Sequence, residues 1–169
     1  TEIVAKEKKV IATIPFTNTW KVEFPAGWGA PETLQLTDLK AWKDLDLSAE
    51  AKAFSGTVDY STTFEVDKSR DANYILDLGK VDMIAEVVLN DNPIRILWTS
   101  PYQADITKAL RSGKNQLTVK VTSTWFNRLV FDAAQPENER KTWVLRWPDK
   151  NAALKESGLM GPVSVLVEQ

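Results

Sequence analysis

Thr57-Val58-Asp59-Tyr60-Ser61-Thr62-Thr63-Phe64-Glu65-Val66 is the stretch whose reading decides the fold class. In an extended chain successive side chains point to opposite faces. Val58, Tyr60, Thr62, Phe64 and Val66 therefore share one face, and Asp59, Ser61, Thr63 and Glu65 share the other. That alternation predicts a strand with one buried face. The same period recurs on both sides of it. Trp20, Val22 and Phe24 alternate with Lys21 and Glu23, and Leu117, Val119 and Val121 alternate with Thr118 and Lys120. Further strands are expected over 10–14, 74–78, 85–89 and 163–167, which β-branched and aromatic residues fill. Turn chemistry separates the runs: Asn90-Asp91-Asn92-Pro93 and Ser112-Gly113-Lys114-Asn115 suit tight reversals. Helix signals are short, with Asp105 and Ser48 each placed to cap a single turn. Many short strands joined by polar turns predict an all-β sandwich or barrel with one or two short helical turns.

Composition removes much of the catalytic menu. The 169 residues hold seven Trp and no His or Cys. A His-led triad or proton shuttle is excluded, and so is an ordinary zinc, copper or iron–sulfur site. No cofactor is implied. A structural calcium held by oxygen ligands stays open, with Asp44, Asp46, Asp67 and Asp71 as the candidates. A net charge of -2 offers no electrostatic reason to bind nucleic acid or a membrane surface. No apolar run approaches the roughly 18 residues of a spanning helix. The length suits one domain over 1–169, with 1–9 a charged, frayed lead-in, and a chain beginning at Thr1 is expected to be a processed form or a cut from something longer.

The functional candidates are rings beside polar groups. The C–H face of a pyranose stacks on an aromatic ring, and carboxylates, amides and Arg then bond its hydroxyls. Trp125, Asn127, Arg128 and Asp132 supply both types in one run. Trp143 and Trp147 follow in a long polar stretch, and Trp98 with Tyr102 flanks a second loop. Each ring has a plainer reading as packing or interdomain docking, and Arg128 with Asp132 has one as a local ion pair. Trp20 and Trp42 are expected in the core, and Trp28 as a docking anchor or a cover for the sandwich end. The acid pairs Asp44/Asp46 and Glu137/Glu139 do not sit in strand patterns facing a cleft, so they read as solvated loop charge rather than as a glycosidase pair.

Three stretches taken in order resemble a known family. They are Phe54-Ser55-Gly56-Thr57 with Tyr60 and Phe64-Glu65-Val66; Leu76-Asp77-Leu78-Gly79-Lys80-Val81 through Ala85–Asn90 to Leu97-Trp98, Pro101-Tyr102 and Ala104-Asp105-Ile106-Thr107; and Gly113–Leu117 through Val121-Thr122 to Trp125-Phe126-Asn127-Arg128-Leu129. Together they resemble the galactose-binding-like jelly roll, the sugar-binding-type β-sandwich of family 2 glycoside hydrolases. Among these they are similar to the version in the C-terminal part of large enzymes like the family 106 α-L-rhamnosidases. Trp20–Phe24 and Ser157–Val163 fit the two ends of the pattern. One departure is Asn90-Asp91-Asn92, where such domains usually carry Asn-Gly.

The resemblance implies a non-catalytic accessory domain whose partner is the catalytic domain of the same parent chain, with a plant or microbial polysaccharide as a further partner and a secreted or periplasmic location. It leaves open whether the sandwich binds sugar weakly or docks on the catalytic barrel. Two readings from other classes also stay open: a small self-sufficient β-sandwich glycosidase or polysaccharide lyase, and a protein–protein adhesion sandwich.

Overall fold

A computed structural model describes residues 9–169. Its elements are β1 (Val10–Pro15), β2 (Trp20–Glu23), β3 (Thr33–Leu36), α1 (Ala49–Lys52), β4 (Thr57–Val66), β5 (Asn73–Asp77), β6 (Lys80–Val81), β7 (Ile84–Leu89), β8 (Asn92–Leu97), β9 (Gln103–Asp105), β10 (Gly113–Thr122), α2 (Phe126–Ala133), β11 (Leu159–Gly161) and β12 (Ser164–Glu168). The strands form a six-stranded sheet in the order β3-β2-β4-β10-β7-β8, a four-stranded sheet in the order β1-β12-β5-β9, and a small β11-β6 pair. This is the antiparallel sandwich that the sequence predicts.

The ladder between β4 and β10 runs unbroken from Gly113↔Val66 to Thr122↔Thr57. Because the side-chain period is two, that register puts Val58, Tyr60, Thr62, Phe64 and Val66 on the same side as Leu117, Val119 and Val121. All are buried. Against them lie Tyr74, Leu76, Ala104, Val165 and Val167 of the second sheet, in one continuous core. Trp20 and Trp42 are buried there too, as expected. The expected strands over 10–14, 74–78, 85–89 and 163–167 appear as β1, β5, β7 and β12. The segment 1–8 of the expected lead-in lies outside the described residues, while Lys9 exchanges two backbone hydrogen bonds with Gln169.

The β7–β8 hairpin turns through Asn90 at φ 52° and Asp91 at φ 64°. Asp91 stands where glycine is usual and adopts the left-handed conformation that Asn and Asp tolerate. The Asn90 amide steadies the turn, donating to the Asn115 carboxamide oxygen at 2.8 Å and to Ala109 O at 3.0 Å. The Ser48 hydroxyl caps α1 by accepting from Ala51 N at 3.2 Å. The surprise is α2, a two-turn helix where the sequence reads as a loop. Its buried residues include Asn127, Arg128 and Asp132, so its polar face points inward. Phe126, Leu129, Val130 and Ala133 do recur at helical spacing, but the run is only eight residues long and the cap at Trp125 makes no side-chain hydrogen bond that would mark its start.

At the centre of the sandwich the Tyr60 hydroxyl accepts from Trp42 Nε1 at 2.6 Å and from Leu159 N at 3.3 Å. Gly158 lets the chain pass beside this pair. A Cβ there would lie 2.4 Å from Trp42 Nε1, and its φ of +102° is one that side chains rarely adopt. Burial pushes the Tyr60 pKa up to about 12, against the smaller opposite pull of its two donors. An unfolded Tyr ionises near 10. The folded protein therefore binds more protons above that pH, and the Tyr60 contribution to stability falls between about pH 10 and 12. Tyr60→Phe orphans two buried donors and should cost about 1–3 kcal/mol at pH 7 in urea unfolding. The same variant should lose part of the alkaline decline in stability between about pH 10 and 12.

Candidate functional site

Asn127, Arg128 and Asp132, expected to meet a sugar, are instead interior residues. Most of their polar atoms are spent on the protein, while Arg128 Nε is buried without a hydrogen-bond partner among the described residues. The Asn127 amide donates to Lys155 O at 2.9 Å, and its oxygen accepts from Lys155 N at 2.8 Å. Arg128 reaches Glu50 Oε1 at 2.9 Å through Nη1 and Asp132 Oδ1 at 2.8 Å through Nη2. The Arg128–Asp132 pair spans one helical turn, as the plainer sequence reading had it. With 1% of Arg128 and none of Asp132 exposed, neither touches a ligand from this position. The sequence missed this because a loop would have left them in water, whereas α2 turns them inward.

These residues build a mount. The Arg128 guanidinium lies 5.3 Å from the Trp28 ring centre and 5.1 Å from that of Phe131. Trp28 meets Trp125 edge-on at 5.6 Å. It is thus half-buried as a cover, one of its two expected roles. Glu50 also takes Lys141 Nζ at 2.8 Å, and Lys141 donates to Gly27 O at 2.5 Å. The second Asp132 oxygen accepts from Lys141 N at 3.1 Å, Thr142 N at 2.8 Å and Thr142 Oγ1 at 2.6 Å. Two backbone donors and one hydroxyl thus pin the chain just before Trp143.

Charge settles in this cluster accordingly. Burial acts to raise the Asp132 pKa, but hydrogen bonds from Thr142 and Arg128 outweigh it and hold the carboxyl below its usual value. Hydrogen bonds from Lys141 and then Arg128 lower Glu50.

Beyond the mount, 143–147 carries the most exposed large apolar side chains of the described residues, Trp143 at 79% and Leu145 at 91%. Trp147 is half-buried, with the Arg140 guanidinium 4.8 Å from its ring centre. Glu137, Arg140, Thr142, Trp143 and Trp147 line an open cleft of about 290 Å³. The other predicted rings lie elsewhere. Trp98 is 74% exposed just past β8, the edge strand opposite the β2–β3 edge that carries Trp28. Tyr102 is half-buried and donates to Met83 O at 2.8 Å, so it braces the loop rather than offering a platform. Glu137, Glu139, Asp44 and Asp46 are exposed loop acids, as expected. Among the described residues no three of His, Cys, Asp or Glu stand together to hold a metal ion, the proposed calcium ligands included. No helix among them is long and apolar enough to cross a membrane.

A family described as glycosyl hydrolase 2 galactose-binding domain-like matches residues 33–157. The chain belongs to this family. The galactose-binding-like domain is also similar to a protein of Formosa agariphila named "Putative beta-glucuronidase", with 38% identity over 96% of this chain and 16% of that protein. Among solved structures, a rhamnosidase from Novosphingobium sp. PP1Y superimposes with a TM-score of 0.84 at 33% identity, covering 100% of this chain and 16% of that one. A Ruminococcus gnavus β-glucuronidase shares the fold, with a TM-score of 0.69 at 21% identity over 99% of this chain and 30% of that one. The galactose-binding-like domain is thus a minor part of the glycoside hydrolase chains that it resembles.

Two outcomes follow from the mount. Asp132→Ala leaves Arg128 buried with Glu50 as its remaining carboxylate and should destabilise the domain by about 3–5 kcal/mol in chemical denaturation. It should also open the bonds after residues 140 and 141 to trypsin. Since both carboxyls are held below their unfolded values of about 4, their stabilisation is complete above about pH 5 and is lost progressively as pH falls below the unfolded values and through the lower folded ones. Thermal melts should drop steeply on acidification in the wild type and less so in Asp132→Ala.

Proposed function

We propose that this chain is a non-catalytic accessory sandwich of a glycoside hydrolase, and that it docks through 143–147 on the catalytic domain of the same longer chain. The observation that carries this is the contrast within the site. Trp143 and Leu145 stand largely in water, yet the chain leading to them is fixed to a buried carboxylate by two backbone hydrogen bonds and one from the Thr142 hydroxyl. Covering each side chain on a partner contributes about 1.5–3 kcal/mol, and a pre-fixed segment loses little entropy on docking. The names of the relatives point to an enzyme that cleaves a β-glucuronide or a rhamnoside. An enzyme acting on polysaccharide meets it outside the cytoplasm, so the same reading puts the chain in a secreted or periplasmic protein.

A second reading rests on the stacking of Arg140 on Trp147 beside the cleft of about 290 Å³. Rings and a guanidinium in one concavity suit weak binding of a hydroxylated or carboxylated sugar. Saturable quenching of Trp fluorescence by uronate- or rhamnose-containing oligosaccharides, lost in Trp147→Ala, would favour it. No change at millimolar sugar would reject it.

The isolated chain should show no turnover of aryl β-glucuronides or aryl α-rhamnosides above the blank. Activity lost on Glu137→Gln or Asp44→Asn would instead make it an enzyme in its own right. In the longer protein, Trp143→Ala combined with Leu145→Asp should lower the Tm of the catalytic domain by about 2–4 °C while leaving the melt of the isolated sandwich unchanged. An unchanged Tm of the catalytic domain would overturn docking by this segment.

A further inference from the structure

The open side of the sandwich lies away from this mount. β8 ends the six-stranded sheet and β9 ends the four-stranded one, and the two edge strands face each other. Two clefts flank consecutive halves of β8. One, of about 310 Å³, is lined by Arg95, Trp98, Thr99, Ser100 and Gln103 among others. The next, of about 420 Å³, lies against Asn92, Pro93 and Ile94, with Lys108 and Arg111 on its far wall. Six residue steps from Asn92 to Trp98 make this edge about 20 Å long.

Several cationic and hydroxyl side chains along it are uncommitted. Arg95, Lys108 and Arg111 are exposed and enter no ion pair among the described residues. The hydroxyls of Thr99 and Ser100 line the first cleft without a hydrogen-bond partner among those residues, Ser100 beside the exposed Trp98 ring. Gln103 is oriented, since its amide nitrogen donates to Asp77 Oδ2 at 2.8 Å, leaving the amide oxygen for another donor. The acids on the same elements are Asp91 at the hairpin tip and Asp105, whose Oδ1 accepts from Thr107 N at 2.9 Å. Pairing with an added strand is discouraged by Pro93 in the edge and by the register shift between Val87 and Val88. A ligand here must therefore lie along the edge by side-chain contacts.

We infer that the β8 edge binds a carboxylated polysaccharide chain, with Trp98 stacking on one sugar ring, Arg95 meeting a carboxylate in the same cleft, and Lys108 and Arg111 meeting carboxylates from the far wall of the next. A stacking ring gives the apolar sugar face a partner, and a guanidinium fork matches a carboxylate better than a point charge does. Cations spread over two neighbouring clefts, Arg95 on β8 and Lys108 with Arg111 on the segment between β9 and β10, suit a polymer with repeated anions more than a single small anion. The site is independent of docking through 143–147, because it lies on the opposite edge and is tested on this chain alone.

The experiment is affinity electrophoresis of the chain through gels containing polygalacturonate, dextran sulfate or neutral dextran, at low and at physiological salt. Retardation by polygalacturonate and not by dextran is expected. Trp98→Ala should weaken it about tenfold or more, as loss of a central aromatic contact does. The triple variant Arg95→Gln, Lys108→Gln, Arg111→Gln should abolish it. All four positions are exposed, and unchanged melts should verify the fold. Retardation by dextran sulfate alone would replace the carboxylated ligand by a merely high charge density and overturn the inference. So would binding that Trp98→Ala leaves intact, equal binding to dextran, or no binding. If Ile96→Asp and Trp98→Ala instead disrupt self-association of the chain, the edge is a protein interface and the inference fails.

Discussion

A guanidinium taken out of water has to be surrounded by charge and hydrogen bonds of its own. Arg128 imposes that requirement on much of the molecule. Its carboxylates come from α1 and from one turn further along α2, its ring neighbours from the β2–β3 loop and from α2 itself, and its own backbone N–H donates to the Ser55 hydroxyl at 3.1 Å. Segments far apart in sequence are thereby held in one arrangement. The last partner in the series is the stretch that presents Trp143 and Leu145. The ion pairs do not need to add net stability to matter. Once Arg128 is buried, leaving it without partners is worse than any other packing, and that makes the arrangement single-valued.

The fold was legible because its strands are buried on one face. Residues such as Tyr60 and Asp59 differ in kind, and a period of two reveals them. The hairpin at Asn90-Asp91 was legible for a different reason, since few residue types accept its backbone. Short strands such as β3, β6, β9 and β11 gave too few alternations to be seen. The site was half legible. Of the rings whose exposure separates docking from sugar binding, Trp98, Trp125 and Trp143 are exposed and Trp147 is half-buried. Asn127, Arg128 and Asp132 were misplaced outward because polarity was taken as a sign of solvent. In α2 Asn127, Arg128 and Asp132 are buried alongside Val130, and only three-dimensional neighbours such as Glu50 and Thr142 explain why.

The similarity to larger glycoside hydrolases and the geometry of the domain bear on different questions. The family gives the architecture and the company that such a domain keeps. It says nothing of which surface is used. Here the described residues divide their exposed features between two edges of one sheet: a rigidly mounted apolar segment on one side and an open, cationic edge with a single ring on the other. A sandwich is suited to this division, since its core keeps the two edges at a fixed separation whatever either one meets.

The pairing of β1 with β12 has a mechanical consequence. The strands are antiparallel, and Lys9 and Gln169 exchange hydrogen bonds at the same extremity of the ladder. A force applied between those two residues would act across the strands and peel the rungs one after another, beginning with that pair. It would not shear all of them at once. The four-stranded sheet would open at its own margin, while the long β4–β10 ladder in the other sheet stays unloaded. Traction transmitted through the polypeptide would therefore fray this domain at one corner before disturbing either of its candidate surfaces.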